Sequence, residues 1–232
     1  IWKGKIWVGM EYRYMAPIAE LLKEIQKGTI GNSWMMTVRE HRNPFLKKVD
    51  DWNRFHVKTG GTLVEKCCHF FDLMHLFLKE NPIRVFASGG SSVNHKHEFY
   101  SNGKPDIIDN AFVIVDFENG KRAMLDLCMF AEGAKFQEEL SITGNMGRID
   151  ARVPAMWAET SKDHPTHGDL TINMRDLLKP KTRLIKVQED ILNIGGHSGS
   201  TWFEHIGLLT TKETESGPEV MLNEVIMGVV IG

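Results

Sequence analysis

The stretch DNAFVIVDFENGKRAMLDLCMF, Asp109 to Phe130, settles what kind of fold this chain builds. Asp109 to Phe117 and Arg122 to Phe130 are rich in strand formers, and Glu118-Asn119-Gly120-Lys121 lies between them. An Asn-Gly pair tolerates the left-handed backbone that a tight hairpin turn needs, so the stretch predicts two antiparallel strands. Downstream, Phe136 to Thr143, the turn Gly144 to Gly147 and Arg148 to Arg152 repeat the pattern, followed by weaker strands at Leu170 to Met174 and Thr182 to Val187. Upstream, Ile83 to Ser88 adds a strand. Trp34 to Arg39 adds another, running into a polar loop from Glu40 to Asn43 that Pro44 closes.

Helical spacing lies outside this block of strands. Ile18, Leu21, Leu22 and Ile25 mark a helix over Met15 to Lys27 that stops at Gly28. Gly60-Gly61 opens a long apolar segment to Lys79, with Thr62 set to cap a helix and Glu65 completing a capping box. Ser200 to Glu213 and Glu219 to Ile231 read as two closing helices joined through Gly217-Pro218. Strands grouped together with helices before and after predict an α+β fold: a large, open, mainly antiparallel sheet with helices on one face. The uncovered face then needs a partner, and a homo-oligomer is expected there.

Lys and Arg number 28 against 30 Asp and Glu in 232 residues, so no basic field exists to neutralise phosphates, and nucleic acid is not an expected partner. No apolar run approaches the roughly 18 residues of a membrane span. The three cysteines, Cys67, Cys68 and Cys128, form no disulfide framework and fit a reducing, cytoplasmic setting. The first residue is not Met and the end, Val229 to Gly232, is apolar and uncapped, so the chain reads as a piece of something longer, one domain over 1–232.

On an unbroken helix from Thr62, Glu65, His69 and Asp72 fall four and three apart, on one stripe. A carboxylate one turn from an imidazole can fix its tautomer and stabilise its protonated form, which makes His69 a candidate acid or base. The same spacing also suits a solvated surface pair worth about 0.2–0.5 kcal/mol. Zinc ligation by Glu65, His69 and Asp72, or by His95 and His97, lacks persuasive spacing, and no metal is expected. Cys67 and Cys68 read as small buried hydrophobes.

The run Gly60-Gly61-Thr62-Leu63-Val64-Glu65-Lys66-Cys67-Cys68-His69-Phe70-Phe71-Asp72 resembles the signature helix of the Gfo/Idh/MocA oxidoreductases, which include inositol and other sugar dehydrogenases. The resemblance extends from Gly9-Met10-Glu11-Tyr12-Arg13-Tyr14, similar to the strand leaving that family's nucleotide domain, to Gly217-Pro218-Glu219-Val220. It implies hydride transfer from a carbinol carbon to NAD or NADP, with His69 taking the hydroxyl proton and Glu65, in place of the usual Asp, supporting the imidazole. The family's Glu-Lys-Pro lysine has no counterpart, since Glu65-Lys66 sits inside the helix and precedes Cys67. No G-x-G-x-x-G follows a strand, so the cofactor-binding residues are unknown, and the resemblance implies that an N-terminal dinucleotide domain, absent from this chain, mainly holds the cofactor.

A polyol or sugar substrate needs donors and one flat apolar wall, for which Asp72, Arg42, Asn43, Trp52 and His197 are the candidates. His197, in Gly195-Gly196-His197-Ser198-Gly199, resembles a Gly-rich loop lining the substrate side in several members. The rival expectation is a non-catalytic module that keeps the sheet for oligomerisation or ligand sensing.

Overall fold

A computed structural model describes residues 7–101, 103–155, 165–176, 179–194, 197–210 and 222–232. Eight strands form one sheet: β1 Ser33–His41, β2 Pro82–Gly90, β3 Asn110–Phe117, β4 Arg122–Cys128, β5 Phe136–Gly144, β6 Gly147–Pro154, β7 Gly168–Met174 and β8 Lys181–Ile185. Their order is β2-β3-β4-β1-β5-β6-β7-β8. The expected hairpins β3–β4 and β5–β6 are present and antiparallel. In the first, Asn119 and Gly120 both take positive φ, as the Asn-Gly pair foretold. Gly144 opens the second turn where a Cβ would meet the Ile30 carbonyl oxygen at 2.2 Å, so no larger residue fits without moving backbone.

One pairing departs from the expected pattern. β1 enters the middle of the sheet, antiparallel to β5 but parallel to β4, with Val38 opposite Leu125 and Glu40 opposite Leu127. Alternation of apolar residues fixes which face a side chain takes and not the direction of the neighbouring strand, so the sequence is silent on this point.

Among the described residues, seven helices accompany the sheet: α1 Ala16–Gln26, α2 His56–Thr59, α3 Thr62–Glu65, α4 Cys68–Leu78, α5 Glu189–Ile194, α6 Ser200–Thr210 and α7 Leu222–Ile231. α1 packs over β6 and β7, α4 over β1, and α7 against α4. The core forms between this layer and the inward positions of the strands, where Val38, Val113, Leu125, Leu140 and Ile149 meet Ile18, Leu21, Phe70, Phe71 and Met74. Among the described residues nothing packs over the opposite face of the sheet. Phe112 is 60% exposed and Ile114 43%, beside Met35 and Phe86, and the same face carries Arg39 paired to Asp126 and Glu139.

Two local expectations are corrected. The helix foreseen from Gly60 to Lys79 is broken: α3 and α4 are separated at Lys66 and Cys67, with Lys66 at φ −103°. Thr62 does not cap it. Gly61 holds the cap position at φ +88°, and the Thr62 hydroxyl donates to the Ile108 carbonyl at 2.5 Å. The segment read as a strand within Gly9 to Tyr14 is instead a 3-10 turn, Glu11–Tyr14. The expected closing helices are seen over Ser200–Thr210 and Leu222–Ile231, while Thr211–Glu213, Gly217-Pro218 and Glu219–Val220 lie outside the described residues.

Candidate active site

The Glu11–Tyr14 turn is where the elements of the site converge. Arg13 donates twice to Asp72, Nε to Oδ2 at 2.7 Å and Nη2 to Oδ1 at 2.6 Å, with both residues buried. This two-bond geometry fixes the turn against α4 in both distance and orientation. It also sets the register of the preceding residue, so that the Tyr12 ring stacks on the His69 ring, centroids 4.6 Å apart and planes 15° from parallel. From a third direction Glu11 reaches the far side of the site. Its Oε1 lies 3.2 Å from His197 Nε2, and its Oε2 accepts from the Thr201 hydroxyl. The His197 ring stands 5.5 Å from that of Tyr12.

His69 is half-buried. Its Nδ1 is sealed from solvent and has no hydrogen-bond partner among the described residues. Burial, then the positive charge of Lys66, then His197, hold the imidazole down to about 3 from its usual 6.5, so the ring is neutral at physiological pH. A neutral imidazole with a free nitrogen is a proton acceptor in waiting.

Beneath this ring lies a buried polar cluster between α4 and the sheet. Glu40 of β1 and Glu138 of β5 face each other in register and are both essentially inaccessible. Burial, followed by the repulsion of Glu40, raises Glu138 well above the carboxylate range. Lys66 supplies the counter-charge, its Nζ 3.2 Å from Glu40 Oε1 and donating to the Tyr12 hydroxyl. Arg42 Nη1 approaches the same Glu40 oxygen at 3.5 Å.

The structure thus brings His69, His197 and Arg42 to one region and treats the other expected residues differently. Asp72 has both oxygens engaged by Arg13 and is closed to solvent, so it serves as a counter-ion to the turn and not as a substrate ligand. Glu65 makes no hydrogen bond or ion pair with His69 among the described residues, and the charges acting on that imidazole are Lys66 and His197. Burial raises its carboxyl, and the charges that oppose this are Lys66, Lys48 and Arg42. Asn43 is buried, donates to the Pro44 carbonyl and leaves its Oδ1 without a partner among the described residues. Trp52 sits in the 3-10 stretch Val49–Arg54, 37% exposed, and the ring that walls His69 is Tyr12. Of the Gly-rich loop, Gly195 and Gly196 lie outside the described residues.

Six participants escaped the sequence reading: Glu11, Tyr12, Arg13, Glu40, Lys66 and Glu138. A signal for two of them existed. Glu40 shares the inward face of β1 with Met36 and Val38, and Glu138 that of β5 with Leu140 and Ile142, so period-two counting puts carboxylates on an apolar face. Among the described residues, no group of three or more His, Cys, Asp or Glu is placed to hold a metal ion. Nor does the Gly60-Gly61 turn offer a cradle for a dinucleotide's phosphates: it opens a helix of only four residues, and a Cβ at Gly61 would meet the His56 ring at 2.6 Å. The Gly60-Gly61 turn is therefore no phosphate cradle.

The model of the oxidoreductase family's C-terminal α/β domain matches residues 23–230. The chain belongs to the Gfo/Idh/MocA oxidoreductases. It is 25% identical over 149 residues to inositol 2-dehydrogenase of Rhizobium meliloti, a match covering 64% of this chain and 42% of that enzyme. Its fold is that of aldose-aldose oxidoreductase from Caulobacter crescentus, solved with glycerol, at TM-score 0.68 and 13% identity over 98% of this chain and 59% of that one. The NAD binding oxidoreductase of Klebsiella pneumoniae gives TM-score 0.70 and 12% identity over 96% and 61%. The chain spans less than two thirds of the length of each of these relatives.

The His69 environment has a consequence for acid stability. An unfolded imidazole binds its proton near pH 6.5 and the folded one only near 3, so between those values the unfolded state holds more protons and stability falls with falling pH. His69→Gln is expected to lose less stability than the parent across that window, measured by denaturant unfolding at stepped pH. Equal losses would show that the folded ring binds its proton normally.

Proposed function

We propose that this chain is the substrate-binding and catalytic part of an NAD(P)-dependent dehydrogenase acting on the CH–OH group of a polyol or sugar-like alcohol. Family membership supports oxidoreductase chemistry at a coarse level. The observation that carries the finer reading is the neutral, half-buried His69 ring stacked on Tyr12, with His197, paired to Glu11, beside the same Tyr12 ring. Sugar-like substrates are supported by the match to an inositol dehydrogenase.

In this reading the substrate hydroxyl donates to His69, which accepts its proton as the carbinol hydride departs. A nicotinamide, held mainly by a segment other than this domain, supplies the hydride acceptor. Glu11, through His197, provides acidic support close to the protonated ring, the part that the sequence had given to Glu65. Glu65 instead balances Lys66 and Arg42. Asn43 Oδ1 and the Arg42 guanidinium, both at the end of β1, offer an acceptor and donors to further hydroxyls. A purely oligomeric or sensing module is the poorer reading, since it has no use for a buried ring kept free of protons.

The chain acts in this account as a single domain in the cytoplasm. No helix among the described residues is long and apolar enough to cross a membrane, and the three cysteines are free. A second copy of the chain is the proposed occupant of the open sheet face, where exposed Phe86, Phe112 and Ile114 adjoin the ladder of Arg39, Asp126 and Glu139. On this face a concavity of about 550 Å³ is lined by Met35, Thr37, Arg39, Glu139 and Arg152.

His69→Ala in the full-length protein is expected to lower turnover at least about 100-fold, the scale of a lost general base, with circular dichroism unchanged. Undiminished turnover would exclude His69 from the reaction. Phe112→Arg is expected to shift the protein toward monomer in sedimentation velocity, and an unaltered oligomer would place the interface elsewhere.

A further inference from the structure

Lys66 is 6% exposed, an ammonium inside the helix layer where an unpaired charge is not tolerated. Four contacts define its position. Glu40 Oε1 lies 3.2 Å away, the Tyr12 hydroxyl accepts from it, and its Nζ stands 4.5 Å from the centroid of the Tyr12 ring and 5.8 Å from that of Phe70. Glu40 is the member of the carboxyl pair that this ammonium meets directly. Lys66 and His69 therefore hold the same aromatic ring, one by its hydroxyl and the other by its face.

We propose that Lys66 is a positioning residue for His69: clamped to Glu40, it fixes the Tyr12 ring on which the imidazole rests and keeps a positive charge beside that imidazole, so that His69 stays an unprotonated acceptor in one orientation. The inference rests on His69 being the proton acceptor of the proposed reaction. Other charges act on the Tyr12 ring: Glu11 from the same 3-10 turn, Glu40 and Glu138 from the sheet, and Arg42 just beyond β1. His197 stands beside that ring before α6, and the Arg13–Asp72 pair joins the turn to α4. Of these, only His197 joins Lys66 in disfavouring the proton on His69.

The assignment separates from a merely structural lysine by what His69 does. In Lys66→Gln a donor to the Tyr12 hydroxyl is retained and the charge is lost, whereas Lys66→Arg keeps the charge. With the His69 ring followed by NMR as pH is lowered, Lys66→Gln is expected to take up the proton about one pH unit above the parent, and Lys66→Arg to follow the parent. In the full-length protein the acid limb of kcat/KM should move upward in parallel. Lowered thermal stability with an unmoved His69 titration would overturn the proposal. If Lys66→Gln does not fold, Tyr12→Phe carries the test. It keeps the stacked ring and removes its hydroxyl tie to Lys66, so the ring-current shift on the His69 protons should shrink, and an unchanged shift would equally overturn the proposal. Both readouts are made on the imidazole itself, so they stand apart from whether His69→Ala abolishes turnover.

Discussion

A buried pair of charges, Arg13 with Asp72, holds the rest of this site in place. Neither residue is tolerable alone in the helix layer, because removing one partner of a buried pair costs about 3–5 kcal/mol by leaving the other uncompensated. The two parallel hydrogen bonds also define a plane, and that plane fixes where the neighbouring side chains of the turn must go. Tyr12 is thereby laid on His69 and Glu11 directed at His197 and Thr201. Three residues in succession thus tie a short 3-10 turn to α4 and to the His197–α6 segment, and the imidazole is held by contacts that do not occupy its Nδ1.

The second layer is electrostatic. Two carboxyl groups lie in register on adjacent strands in a dry interior; burial and the neighbouring Glu40 push Glu138 upward, while Glu40 lies against Lys66. The same lysine, together with burial, denies His69 a resting proton. Low dielectric makes each such interaction stronger than it would be on the surface, and it also makes the cluster intolerant of change, since any lost partner strands a charge. This explains why a site otherwise built on apolar packing spends several ionisable residues out of contact with water.

How far the sequence could be read follows from the physics of each feature. Hairpins at Glu118–Lys121 and Gly144–Gly147 were legible because turn chemistry is local, and the helix at Ala16–Gln26 because a period of 3.6 is visible in four apolar residues. The parallel pairing of β1 with β4 was not, since strand direction is settled by contacts distant in the chain. The Gly60–Asp72 run carried the family resemblance and singled out His69 and Glu65, whereas no proline or glycine between Thr62 and Asp72 announces the interruption of the helix at Lys66–Cys67. Asp72 looked like a ligand because its partner, Arg13, lies 59 residues earlier. Lys66, passed over as an imitation of a family motif, proved to touch Tyr12 and Glu40.

The central claim is that a polyol meets this chain at His69, on the helix-covered side of the sheet. It is tested most directly by titrating myo-inositol into the chain while following the ring signals of His69, His197 and Tyr12 by NMR. Saturable shifts at these three rings, with Arg39 and Glu139 on the open face unmoved, are the predicted result. Shifts at the open face with the three rings unmoved would contradict the account.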